Sequence, residues 1–176
     1  MGLFRSSAVL GIAGDTLSFA LNAAEETHPR EYMGFLRAER ASELGLDREG
    51  QVITDVLVVP GTVSDGSSAR VNTLMKHNAP DAVGSIHSHP SGVLRPSATD
   101  RGTFRRGDIH IILGHPYSWT DWQAFDSDGN STELDVLDVD LPEDDFFDFT
   151  QADIDRERQA EADSGDDGGG ILSWFR

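Results

Sequence analysis

The sequence predicts an α/β domain, a mixed central β-sheet flanked by helices. Two observations carry this, and a third sets its size. Short apolar runs bounded by Gly, Pro or Asp recur along the first 140 residues and read as strands. Two stretches between them have helical spacing, and strands interleaved with helices pack as helices on a sheet. At 176 residues the chain is about one domain long and can bury a real core.

The elements follow in order. Asp15 caps a helix that runs to about Thr27, with Leu17, Leu21 and Ala24 on one buried face. His28-Pro29 ends it, because proline disfavours helix in the residue before it. A strand is predicted from Glu31 to Arg40, a polar turn from Ala41 to Gly50, and a strand from Val52 to Val59 stopped by Pro60-Gly61. Val63–Ser68 reads as a loop and Ala69–Leu74 as a further strand. Ala82-Val83-Gly84-Ser85-Ile86 is a buried strand, Ser97 to about Arg106 a helix, and Gly107–Leu113 another buried strand. Trp122–Phe125, the turn Asp126–Asn130 and Glu133–Val139 read as a hairpin.

The chemistry concentrates in residues 87 to 100, HSHPSGVLRPSATD. If the strand ending at Ile86 continues through Ser88, His87 and His89 project to one face and can both reach one cation. Pro90 has no N–H and ends the ladder. Ser97 then caps the next helix, with Asp100 three residues on, and the helix terminus favours a deprotonated Asp100. Two imidazoles and one carboxylate, with a fourth position open to water, match the ligand count of a catalytic zinc site. Taken alone, His-x-His is most often a surface or satisfied core pair, and Ser-x-x-Asp is usually only a cap. Together, at this spacing, they are far more specific.

His-x-His-Pro, six residues, Ser, two residues, Asp resembles the JAMM (MPN+) zinc metalloproteases. That family also uses a glutamate upstream, after a His/Tyr-Pro pair and before a Gly-containing strand, and His28-Pro29-Arg30-Glu31-Tyr32-Met33-Gly34 matches. The resemblance spans roughly residues 15 to 138. It implies an MPN (JAB) fold and one Zn²⁺ per chain held by His87, His89 and Asp100. It also implies Glu31 as general base and Ser97 as donor to the oxyanion, a role compatible with capping because a hydroxyl both accepts and donates. The implied activity is an isopeptidase acting on ubiquitin-like modifier proteins and their conjugates, desampylase-like, with the loop Ser91–Arg95 and the strand Ala69–Leu74 as groove walls. A peptidase trimming a sulfur-carrier protein would use the same site. The loop at Pro90-Ser91-Gly92 also resembles bacterial RadC proteins, while a non-catalytic MPN scaffold would have lost the ligand set that is intact here. His28, His77, His110 and His115 lack the motif's spacing and read as structural, with His115 placed to support the site from a strand end.

The formal net charge of −17 is unevenly spread. Residues 1–120 carry 13 acidic and 11 basic side chains, whereas 121–176 carry 18 and 3. This disfavours nucleic acid as a partner. A single lysine against 13 arginines, with aspartate outnumbering glutamate 21 to 10, resembles haloarchaeal composition. No stretch is long enough to cross a membrane as a helix, no signal peptide is read, and the absence of cysteine fits a reducing cytoplasm. The catalytic domain is expected in residues 1–140. Residues 141–176 read as an acidic, disordered tail ending in the apolar Ile171–Phe175, which either docks or stays free; oligomeric state is not legible.

Overall fold

The computed structural model describes residues 8–58 and 81–141. The predicted loop Val63–Ser68, the strand Ala69–Leu74, His77 and the acidic tail beyond Leu141 lie outside these residues. Strand β1 is Val9–Ala13, helix α1 Gly14–Thr27, β2 Met33–Arg40, and β3 Gln51–Val58, with a short 3₁₀ turn at Ala41–Leu44. Then come β4 Gly84–His89, helix α2 Ala98–Phe104, β5 Ile109–Gly114, β6 Trp122–Phe125, β7 Ser131–Thr132 and β8 Asp135–Leu137.

The eight strands of the described residues form one mixed sheet in the order β7-β6-β5-β4-β2-β3-β1-β8. β4 sits near its middle, antiparallel to β2 and parallel to β5. Strands covered on both faces read as continuous apolar runs, which is why β5 is buried throughout and β4 nearly so. Leu17, Ala20, Leu21 and Ala24 of α1 pack with Ile12, Leu36, Ile53, Ile86, Ile111 and Leu113 on one face of the sheet. The other face carries a smaller cluster, Phe104 of α2 with Ile112, Phe125 and Leu94.

Several predicted details change. Asp15 is not the cap of α1: Ala13 holds that position without a side-chain bond, and Asp15 lies in the first turn, where its charge suits the helix terminus. The hairpin after β6 returns only as Ser131–Thr132, and Asp135–Leu137 pairs parallel to β1 on the opposite edge. Between the two segments, Leu134 is partly buried against the main core. From Thr132 to Asp135 an extended chain spans about 10 Å at most, so the sheet must curl until its two edges are neighbours. Among the described residues no helix is long and apolar enough to cross a membrane.

Candidate metal centre

The register between β2 and β4 builds the site. Met33 is opposite His87, and the ladder continues one step further, with Ser88 N–H donating to the Tyr32 carbonyl at 2.9 Å. Residues directly opposite in an antiparallel pair share a face, and alternate residues along a strand do too. Glu31 therefore faces His89, and Glu31, Met33, His87 and His89 lie on the face covered by α2. The predicted strand start at Glu31 falls at Met33 instead, and Tyr32, buried in the main core on the opposite face, keeps the alternation one residue further back.

Helix α2 delivers the carboxylate. Ser97 caps it, with the Asp100 N–H donating to Ser97 Oγ at 3.2 Å and the Ser97 N–H donating to Asp100 Oδ2 at 2.6 Å. This reciprocal box fixes the carboxylate as well as the helix. Asp100 Oδ1 then lies 3.2 Å from His87 Nε2, Asp100 Oδ2 lies 3.4 Å from His89 Nε2, and the two imidazole nitrogens are 3.1 Å apart. The loop joining β4 to α2 is shaped by Gly92, whose φ of 77° suits glycine and whose missing Cβ admits the His115 carbonyl.

The electrostatics of the trio point to a cation. His89 Nδ1–H donates to the Val93 carbonyl at 2.6 Å, which leaves the Nε2 lone pair of the neutral ring facing inward. The Asp100 carboxylate, which accepts a hydrogen bond from the protonated ring, raises the His89 pKa against the effect of burial, with the Glu31 charge acting in the same direction. Burial pushes the Asp100 carboxyl up, but its bonds to His87, His89 and the Ser97 N–H outweigh that and hold it well below the carboxylate range. A tetrahedral ion with bonds of about 2.0–2.1 Å spans ligand pairs roughly 3.3–3.4 Å apart, so the observed separations suit one. Their ligand atoms all fall within 4.8 Å of one another, the one such group of His, Asp or Glu among the described residues.

The remaining residues fall around this centre. Glu31 is exposed at its rim, and Ser97 is exposed at the helix start. Ser88, between the two histidines, points to the opposite face, where its Oγ accepts the Tyr32 N–H at 2.8 Å and ties the Glu31–Tyr32 segment to the histidine strand. The sequence reading passed over Ser88; the strand alternation that singled out its neighbours also sends it to the far face. His28 Nδ1 lies 3.3 Å from Tyr117 Oη, and the His28 and His115 rings are 4.6 Å apart. Burial raises the Tyr117 pKa, Ser88 lowers it and the Glu31 charge raises it, so this group lies within reach of the Glu31 charge. His110 is buried, bonded through Nδ1 to Ser85 Oγ at 2.8 Å and stacked on Phe104 at 4.3 Å.

A curled mixed sheet with two helices defines an MPN-type domain, and the His-His-Asp group it carries could hold a metal ion. Residues 15–126 match the prokaryotic homologues of the JAB domain. The chain is 60% identical over 158 residues to a probable metalloprotease of Haloferax volcanii, covering 89% of this chain and 98% of that one. It is 34% identical over 100 residues to a UPF0758 protein of Vibrio atlanticus, covering 52% of this chain and 44% of that one. Two solved structures are similar at 26% identity. One, described as a JAMM metalloprotease-like zinc site in the proteasome and signalosome, has a TM-score of 0.53 and covers 74% of this chain and 100% of its own. The other, a JAB1/MPN domain protein from Archaeoglobus fulgidus, has a TM-score of 0.54 and covers 73% of this chain and 98% of its own. The chain belongs to the prokaryotic JAB family, and its enzyme class is that of the JAMM-type metallopeptidases.

Proposed function

We propose that this chain is a cytoplasmic zinc-dependent isopeptidase that hydrolyses the bond between the C-terminus of a ubiquitin-like modifier and a lysine. The observation that carries the reading is the converging trio of donors, 3.1 to 3.4 Å apart, with Glu31 on the same face of the sheet. His87, His89 and Asp100 would hold one Zn²⁺. Bound there, zinc supplies a water whose pKa is lowered towards about 7.

The chain's own groups do the rest. Glu31 accepts a proton from the attacking water and passes it to the leaving amine. The Ser97 hydroxyl keeps its proton free while Oγ accepts the Asp100 N–H, so it donates to the oxyanion formed on the substrate carbonyl. Ser88 and Tyr32 hold the segment bearing Glu31 in register with His89. The modifier reading is supported by membership of the JAB family and by the similarity to a JAMM zinc site in the proteasome and signalosome.

The test is incubation of the purified chain with linear and isopeptide-linked modifier conjugates, with and without chelator, alongside elemental analysis. The expected result is one zinc per chain and chelator-sensitive release of free modifier from the isopeptide-linked conjugate. Absence of transition metal after zinc is offered would overturn the metal assignment. Cleavage of linear fusions alone would overturn the isopeptidase reading in favour of C-terminal trimming.

A further inference from the structure

We propose that Arg101 and Arg105 form a carboxylate-binding notch that grips an acidic stretch of the polypeptide substrate beside the metal centre. The inference rests on the peptidase reading above and adds the chemistry of the surface the enzyme recognises.

The distribution of charge raises the question. Eight arginines fall among the described residues, and four of them, Arg95, Arg101, Arg105 and Arg106, lie within the twelve residues 95–106. The only carboxylate in that stretch is Asp100, which the metal centre uses. In a chain of net charge −17, this is a concentrated reversal of sign. Arg101 and Arg105 are four apart, hence on one side of α2, and both are exposed. Neither forms an ion pair with another described residue.

The two side chains also line a shaped cavity. With Ser127 and Asp128 they border an open cavity of about 490 Å³. Arg101 lies along the backbone of Gly129, where an added Cβ would stand 3.1 Å from its Cγ and 3.2 Å from its Nη1. Gly129 has a φ of 80° and lacks the atom that would crowd the arginine, so the turn seats Arg101. That turn is itself held by Asp126, whose Oδ1 accepts the N–H groups of Asp128 and Asn130, both at 2.9 Å.

The occupant follows from the donors. Two guanidinium forks present paired N–H groups that match carboxylates. A nucleic acid fits worse, because the net charge of the chain opposes a polyphosphate and Asp128 stands on the cavity wall. A polypeptide satisfies both walls, with carboxylates on the arginines and amide N–H groups towards Ser127 and Asp128. Arg101 directly follows Asp100, and Arg105 lies about 6 Å further along the helix axis, so a chain held at the metal centre reaches the notch within a few residues. Contact pairing of this kind persists at molar salt, where the Debye length of about 3 Å removes long-range steering.

The test is binding by the zinc-loaded full chain of fluorescein-labelled hexaglutamate, with hexaglutamine as control and a twelve-nucleotide single-stranded DNA as competitor, read by fluorescence anisotropy. Hexaglutamate is expected to bind roughly tenfold or more tightly than hexaglutamine, a preference that Arg101→Gln/Arg105→Gln removes and Arg37→Gln/Arg40→Gln keeps. Gly129→Ala, which leaves every charge in place, is expected to weaken the preference by unseating Arg101. Equal binding of the two peptides, an unchanged preference in the Arg101/Arg105 variant, or displacement by equimolar DNA would each overturn the notch. Because no turnover is read, normal conjugate cleavage without peptide preference overturns the notch alone. Preference without cleavage overturns the peptidase reading alone.

Discussion

Helices α1 and α2 close opposite faces of one sheet by different means. The fourteen residues of α1 bury Thr16, Leu17, Ala20, Leu21 and Ala24, and no side chain caps its start. The seven residues of α2 bury only Thr103 and Phe104, but its first turn carries a complete capping box. Apolar burial is strong and indifferent to direction, whereas hydrogen bonds are weak and directional. The face that must supply stability therefore uses the first, and the face that must aim a carboxylate at two imidazoles uses the second. The polar residues under α2, namely Ser85, His87 and His110, have no counterpart of that density under α1.

The largest break between the faces is expected from Glu31→Gln. The rate of conjugate cleavage should fall by roughly 10²–10⁴-fold while fold and zinc content are retained, since the amide keeps shape but removes the base. Near-normal turnover would remove Glu31 from the mechanism, and loss of zinc would make it a ligand. Truncating each core comes next. Leu17→Ala should cost about 2–5 kcal/mol by denaturant titration yet leave turnover per folded molecule unchanged, whereas Phe104→Ala should cost about 3–5 kcal/mol and also weaken zinc retention. Equal effects on zinc from both would erase the division of labour.

A pH dependence sharpens the contrast. Burial pushes the His110 imidazole down to about 4, while the unfolded chain takes the proton near the ordinary histidine value of 6.5. The unfolded state then binds more protons between those values, so stability rises with pH across that window and falls on acidification, by about 2–3 kcal/mol in all. His110→Asn should flatten that slope in metal-free protein; an unchanged slope would assign it elsewhere. A smaller effect on stability is expected at the cap. Ser97→Ala should lose about 1 kcal/mol, and Ser97→Asp should restore that stability without restoring turnover, because it caps but has no proton to donate. Smallest of all, truncation after Val139 should leave cleavage of a small conjugate unaltered, since both faces lie before it.

Much of this was legible because the two faces write different signals. Period 3.6 at Leu17, Leu21 and Ala24 gave α1, and the two-residue spacing of His87 and His89 gave their common face. The pairing of Ser97 with Asp100 was readable as a box because both partners are local in sequence. Glu31 could be nominated only through the resemblance, since no local rule links residues more than fifty apart; what the fold adds is the pairing of Met33 with His87, which brings the Glu31 segment beside the histidine strand. What escaped depends on partners distant in sequence. The fate of Asp135–Leu137 was set by β1, 124 residues upstream of Asp135 at Gly11, where a side chain would strike the Asp135 carbonyl. Nothing local in sequence sets Arg101 apart; the turn at Gly129, 28 residues on, comes beside it only in the fold.

The curl of the sheet bears on how this molecule stays dispersed. Among the described residues its outermost strands are β7, two residues long, and β8, three residues long, and two residues join them. Edges so short offer little unpaired backbone for another chain to extend. Most proteins also guard their edges with charge, a defence that works through space and fades when the Debye length shrinks to about 3 Å near 1 M salt. A template that is nearly absent does not need repulsion to protect it. For a chain 60% identical to a Haloferax volcanii protein, edge protection by geometry works at any ionic strength.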